Sequence, residues 1–482
     1  DLLQALVAKF PRALVEDHAG KLLRAFAGRL SSDDDPKIRA EAGGALKTLF
    51  AAVGPDARQK LLAEAGSWVD AWDEYGSSGE EEAARAPSPS EALAGTQKGL
   101  QTLGLAMEAG RKAAEKEVRA HFPQLLGLLD AAGRQCDLPA EELSLWPAAY
   151  YCLLLLEKTL QGAEGSPPAL PAPELAKLWH AVVGLALYPH MWVRKAALRL
   201  LGMCFARQDF WGGFLLDATA DVDAVQLSSL QVTLCKNIET EGADPALLQQ
   251  ALKNLVFVAG RLAERAAVYL DAAASRAREE YARGVAYGAR AGASGAGSSA
   301  PAQDGDCRAG NCFGKLVHRV MLVASGTVRR SSRASEEQQK AGLQCLAALC
   351  SLLGPGRVLP YLVDVTVPVF RLTEEGGEMS AAASAEVREL ADMVLAHLRD
   401  LAGAEASALA FAAAKELVGK RRKVRRRERA VENLVNPEEA ARRKLRRQEK
   451  NKVQKKVRVE ERRRARAAGL APSHRTKKRR KH

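Results

Sequence analysis

The segment YPHMWVRKAALRLLGMCFA (Tyr188 to Ala206) sets the reading of the chain. Counting from Val193-Arg194, positions +4, +7, +8 and +11 hold Ala197, Leu200, Leu201 and Cys204. Those intervals put four small or apolar residues on one face of an α-helix. The same register recurs from Ile38-Arg39, with Ala42, Ala45, Leu46 and Leu49. It recurs again from Val387-Arg388, with Ala391, Val394, Leu395 and Leu398. Any core helix could show such a stripe. The arginine directly after the β-branched residue is what sets these three apart.

Stacked helical-hairpin repeats of the HEAT type usually carry an arginine at that place in their second helix. It can pair with an acidic group at the turn, and Asp33, Asp34 and Asp35 are the candidates here. The three starts lie 155 and 194 residues apart, which fits four and five units of about 39 residues. Composition agrees: aromatics are 5% of 482 residues, and Ala and Leu dominate the apolar text. The expected fold class is all-α: a HEAT/armadillo-like α-solenoid with a basic, partly helical or disordered C-terminal tail. In such an array each helix pair buries its apolar face only by stacking on the next.

Breaks in the apolar pattern divide the chain. Helical repeats are expected over 1–75, 98–160, 174–285 and 312–414. Between them lie a Gly/Ser/Glu-rich insertion (76–97) read as disordered, a Pro-rich linker (161–173) and a low-complexity stretch (286–311) also read as disordered. SSDDDP (Ser31 to Pro36) is a helix start, with acidic caps and proline in the first turn. The basic tail covers 415–482. The chain begins at Asp1 and reads as a fragment of something longer.

Charge is segregated. Residues 415–482 hold 29 Lys and Arg against 8 Asp and Glu, a net of +21. The remainder carries a net of −8, within a total of +13. Such asymmetry concerns partners more than fold. The candidate nucleic-acid-binding residues are Lys420, Arg421, Arg422, Lys423, Arg425, Arg426 and Arg427, then Arg442, Arg443, Lys444, Arg446, Arg447, Lys450, Lys452, Lys455, Lys456, Arg462, Arg463 and Arg464. Asn436 as N-cap, Pro437 at N1 and Glu439 at N3 predict a helix running to about Arg466. Its apolar stripe is thin: Leu445, Val453 and Val457. After Phe411 there is no Phe, Tyr or Trp. Base stacking by the tail is therefore excluded, leaving contact with phosphates. Lys477, Lys478, Arg479, Arg480 and Lys481 read as a nuclear-localisation signal, compatible with that role.

No nucleotide, metalloprotease, serine-hydrolase or kinase motif is present. The eight histidines are scattered, and His190 and His397 read as satisfied or surface residues. Cys345 and Cys350, in QCLAALCSLL, read as buried core thiols, and no CxxC pair occurs. The expectation is a non-enzyme with no cofactor, no metal site, no membrane span and no small-molecule substrate.

Four segments resemble the down-regulated-in-metastasis family, the very large HEAT-repeat proteins of the small-subunit processome. They are Lys9 to Leu49, with its DDDP-x-IR turn; Tyr188 to Ala206, with PH-x-WVR; Leu346 to Glu374; and the tail's NP-x-x-A-x-x-x-KL from Asn436. The resemblance is to the C-terminal part of that family. It implies a nuclear, nucleolar scaffold of ribosome biogenesis that acts in small-subunit rRNA processing. Its partners would be pre-ribosomal RNA, the U-three small nucleolar RNP and other processome proteins. A chromatin- or transport-associated HEAT-repeat protein is the alternative; transport receptors do not normally end in a basic tail.

Overall fold

The computed structural model describes residue 9 and residues 12–77, 88–139, 142–161, 172–206, 221–240, 244–287, 304–328, 332–374 and 383–467. Two compact units are present, Asp1–Ala413 and Ala414–His482. The division falls within a residue of the tail boundary read from charge.

The first unit is built from helical hairpins. In chain order its helices are α1 (Arg12–Ser32), α2 (Pro36–Ala52), α3 (Pro55–Ser77), α4 (Pro89–Ala109), α5 (Arg111–Ala120), α6 (Phe122–Arg134), α7 (Trp146–Leu160) and α8 (Ala172–Leu185). Then come α9 (Met191–Ala206), α10 (Asp221–Glu239), α11 (Pro245–Arg265), α12 (Ala267–Ala282), α13 (Asp304–Ala324), α14 (Glu336–Arg357), α15 (Leu362–Thr373) and α16 (Ala385–Ala402). A two-residue antiparallel ribbon, β1 (Thr327–Val328) with β2 (Ser332–Arg333), joins α13 to α14.

Seven antiparallel pairs can be traced among the described residues: α1/α2, α3/α4, α6/α7, α8/α9, α10/α11, α13/α14 and α15/α16. Their second helices pack in one row, α2–α4–α7–α9–α11–α14–α16. The three helices singled out by their arginines are the first, fourth and seventh of that row. The expectation of four and five units between them is thus corrected to three steps each. Residue spacing overcounted because linkers and the extra helices α5 and α12 lie between hairpins.

The stripes form the core of this row. Ala42, Ala45, Leu46 and Leu49 are buried, as are Ala197, Leu200, Leu201 and Cys204. Burying one such leucine stabilises by about 1.5–3 kcal/mol. The two end helices depart from the pattern in opposite ways. Ile38 is 41% exposed, whereas Val193 and Val387 are buried. Leu395 is half-buried, whereas Leu46 and Leu201 are buried. The starting position therefore faces the preceding hairpin, and +8 faces the following one. The helix α2 has no described predecessor, and α16 closes the row.

The repeat arginines fasten turns through backbone carbonyls. Arg39 donates to the Asp33 carbonyl (3.1 Å), and Arg388 to the Ser384 carbonyl (3.4 Å). Arg194 donates to the carbonyls of Tyr188 (3.0 Å) and Pro189 (3.3 Å) and reaches Thr240 Oγ1 (3.5 Å). The expected partner of Arg39 was a carboxylate. The Asp33 carboxylate is instead taken by Arg29 (3.3 Å) and the Asp35 N–H (3.0 Å). Asp35 caps α2 by accepting from the Lys37 N–H (2.8 Å). Arg58, which the repeat register did not reach, does the same work one turn later, donating to the carbonyls of Phe50 (2.8 Å) and Val53 (3.2 Å).

Buried amides stitch neighbouring hairpins. Asn237 donates to the Ala186 carbonyl (2.9 Å), and Asn254 to the Leu198 carbonyl (2.8 Å). Gln338 donates to the carbonyls of Ile238 (2.9 Å) and Thr240 (2.8 Å). Arg319 grips Glu239 through two bonds of 2.9 and 2.8 Å. Within the sixth pair, a Cβ at Gly342 would meet the backbone nitrogen of Ala324 at 2.7 Å, so only glycine allows this approach. Gly354 has φ +72°, which bends α14 before Pro355.

Element boundaries differ from the sequence reading at the linkers. Helix α4 begins at Pro89, ahead of Lys98, because Ser88 and Glu91 form a capping box. Helix α13 begins at Asp304, inside the stretch read as low complexity. Residues 78–87, 162–171 and 288–303, the rest of the expected linkers, lie outside the described residues.

Candidate nucleic-acid interface

Two long helices carry the charge-rich text: α17 (Ala404–Val435) and α18 (Pro437–Ala467). Lys, Arg, Glu and Ala are good helix formers, and no proline interrupts either run. The one break is at Asn436-Pro437. Proline disfavours helical backbone in the residue before it and suits the first turn of a new helix. The Asn436 N–H still donates to the Glu432 carbonyl (2.9 Å), closing α17. Helix α18 has 31 residues, about 46 Å at 1.5 Å per residue. It starts and stops where the Asn436 cap and the Arg466 limit placed it. That KRRKVRRRER (Lys420 to Arg429) continues α17 was not read from sequence, because basic residues hide the apolar period there.

The candidate contact residues are displayed along these helices. Lys420, Arg421, Arg422, Lys423, Arg425, Arg426 and Arg427 are all exposed on α17. Arg442, Arg443, Lys444, Arg446, Lys452, Lys455, Lys456, Arg463 and Arg464 are exposed on α18. The backbones of Arg447, Lys450 and Arg462 belong to the same helix. Lys477 to Lys481 lie outside the described residues. Consecutive basic residues necessarily occupy every face of a helix with 3.6 residues per turn. Helix α18 is therefore basic all round, a form that gains its stability from counter-charge.

A few cations have local partners. Lys420 pairs with Glu416 at 2.8 Å, and this cation holds the Glu416 carboxyl below its ordinary range. Arg443 reaches Glu439 (2.8 Å) on its own helix and Glu432 (2.7 Å) on α17. The bond to Arg443 holds the Glu432 carboxyl below its ordinary range, and the two carboxylates push the guanidinium up. That fork spans the Asn436 break. Exposed pairs of this kind contribute little energy and are screened by salt.

Chemistry elsewhere is sparse. Among the described residues no group of His, Cys, Asp and Glu is placed to hold a metal ion, and no helix is long and apolar enough to cross a membrane. Cys345 and Cys350 are buried in α14, and burial pushes the Cys350 thiol up to about 12. His397 shares a 2.8 Å hydrogen bond with Ser351. His190 departs from expectation: it stacks on Trp146 at 3.8 Å, and its buried Nδ1 has no hydrogen-bond partner among the described residues. Desolvation lowers its affinity for a proton.

No protein-family model matches the sequence. A solved structure of an engineered protein aligns with 86% of this chain and 88% of its own at 15% identity, with a TM-score of 0.33. Similarity that low carries no argument, and the helical-repeat assignment rests on the hairpin packing itself.

Proposed function

We propose that this chain is a non-catalytic scaffold whose helical-repeat body holds partner proteins while its tail lies along the backbone of RNA. The observation that carries this reading is the segregation of charge: a net of +21 on residues 415–482 against −8 on the rest. Sixteen of the basic candidates are exposed on these two helices, and no aromatic residue follows Phe411. Phosphate contact needs only such cations, whereas base readout needs stacking or groove-shaped donors. The family resemblance of the four segments selects pre-ribosomal RNA, small-subunit rRNA processing and a nucleolar site of action. The alternative, a chromatin-associated repeat protein, would use the same cations on DNA.

Crosslinking the full chain in cells and sequencing the recovered nucleic acid tests the choice. Enrichment of pre-ribosomal RNA is expected. Recovery of genomic DNA or messenger RNA without that enrichment overturns the assembly reading. Replacing Lys477 to Lys481 by Ala should also reduce nuclear accumulation, read by fluorescence microscopy.

A further inference from the structure

A pocket opens along α2, α4 and α7, the first three helices of the row. Leu30 at the end of α1, Leu105 of α4, and Tyr151, Leu154 and Leu155 of α7 form its apolar walls. Its volume of about 320 Å³ is at the small end for ligand sites, which suits a short apolar group rather than a long chain. Two cations line it, Arg39 of α2 and Lys158 of α7, and none of its described lining residues is acidic. Neither cation is used up. Arg39 gives one hydrogen bond, to the Asp33 carbonyl at 3.1 Å, and has no other partner among the described residues. A guanidinium has further N–H groups to donate. Lys158 donates to the Gly104 carbonyl (2.8 Å) and to Glu108 (2.6 Å), which leaves one N–H of its ammonium. Glu108 lies outside the lining and is shared with Lys47, so the two lysines outnumber it. Glu157, next to Lys158 in sequence, is held by Arg199 (2.5 Å). Gln101 also lines the pocket, and its buried Oε1 has no hydrogen-bond partner among the described residues.

We propose that this pocket holds the C-terminus of a partner protein, with the last apolar side chain between the leucines and the carboxylate on Arg39 and Lys158. The two lining cations select an anion, and the leucine walls require an apolar group beside it. A chain terminus offers both on one residue, and its carboxylate matches the fork of a guanidinium. The unpaired Gln101 oxygen separates a peptide from other apolar carboxylates. A peptide brings a backbone N–H, the donor that Gln101 lacks, whereas a free fatty acid brings none. This deepens the scaffold reading, on which it rests for the class of partner, by naming what one part of the body grips.

The test uses the full chain and short fluorescent peptides read by anisotropy at roughly 0.15 M salt. One peptide ends in two leucines with a free carboxylate. A second is the same peptide amidated at its C-terminus, and a third ends in two glycines with a free carboxylate. Expected is binding of the first, with a loss of about tenfold or more on amidation, in the glycine peptide and in the variant Arg39→Gln. Amidation leaves the protein untouched, so that arm does not depend on a variant folding; circular dichroism checks the variant. Arg39→Gln keeps the basic tail, so its loss belongs to the pocket. Equal binding of acid and amide, or an unaltered variant, overturns the proposal and assigns the peptide to the tail. Equal binding of the leucine and glycine peptides overturns it by leaving the walls without a role. No binding of the first peptide at about 1 mM also overturns it, as does tighter binding of decanoate, which makes the pocket a fatty-acid site. The crosslinking test above reads nucleic acid and this one reads peptide, so either reading can fail alone.

Discussion

Leu46 and Leu445 are the same residue in helices of similar regularity, yet one is fully buried in α2 and the other is 59% exposed on α18. The difference lies in their neighbours along the chain. Leu46 shares its face with Ala42, Ala45 and Leu49, and α4 packs over them. Leu445 stands among Arg442, Arg443, Lys444, Arg446 and Arg447, which leave no apolar face to cover. The body spends its leucines on closing hairpins against each other. The basic stretches of α17 and α18 instead display their described side chains to solvent. Helicity is thus shared by the two regions, while the source of its stability is not.

The largest effect should separate them through salt. If about 6–10 phosphates are engaged, the full chain's affinity for an oligouridine should fall by about 10³–10⁵ between 50 and 200 mM salt. A chain ending at Gly419, which keeps buried Val418, should lose that binding and keep its helical circular dichroism. Salt-insensitive binding would break the comparison at its root. Next comes packing: Leu46→Ala should cost about 2–5 kcal/mol in denaturant unfolding, against less than about 0.5 kcal/mol for Leu445→Ala. Smaller again is the loss of one stitch. Asn254→Ala should cost about 1 kcal/mol by removing its bond to the Leu198 carbonyl. The finest comparison is within the repeat arginines. Arg194→Ala should destabilise more than Arg39→Ala, since Arg194 is half-buried with three acceptors whereas Arg39 is exposed with one; differential scanning calorimetry on both variants would show the order.

Much of the body was legible because its signal is local. The stripe after Val193-Arg194 needs only helical spacing, and the DDDP turn needs only capping chemistry. The number of hairpins was not legible, since α5 and α12 have the composition of repeat helices without taking a place in the row. The start of α4 was missed because Ser88-Pro89 reads equally as linker and as cap. Asn237, Asn254 and Gln338 could not be singled out, because each acquires its meaning from a carbonyl about 50 to 100 residues away. In the tail the break at Asn436-Pro437 was readable, and the continuation of α17 through Lys420 to Arg429 was not.

The single-file packing of the hairpins bears on how the body comes apart. Each pair touches the pair before and the pair after, so cohesion is a chain of local junctions rather than one shared core. Damage inside one pair, such as a bulky residue at Gly342, would loosen the sixth hairpin and leave the first four folded. The body would then melt in stages, and cooperativity would be set by its weakest joint.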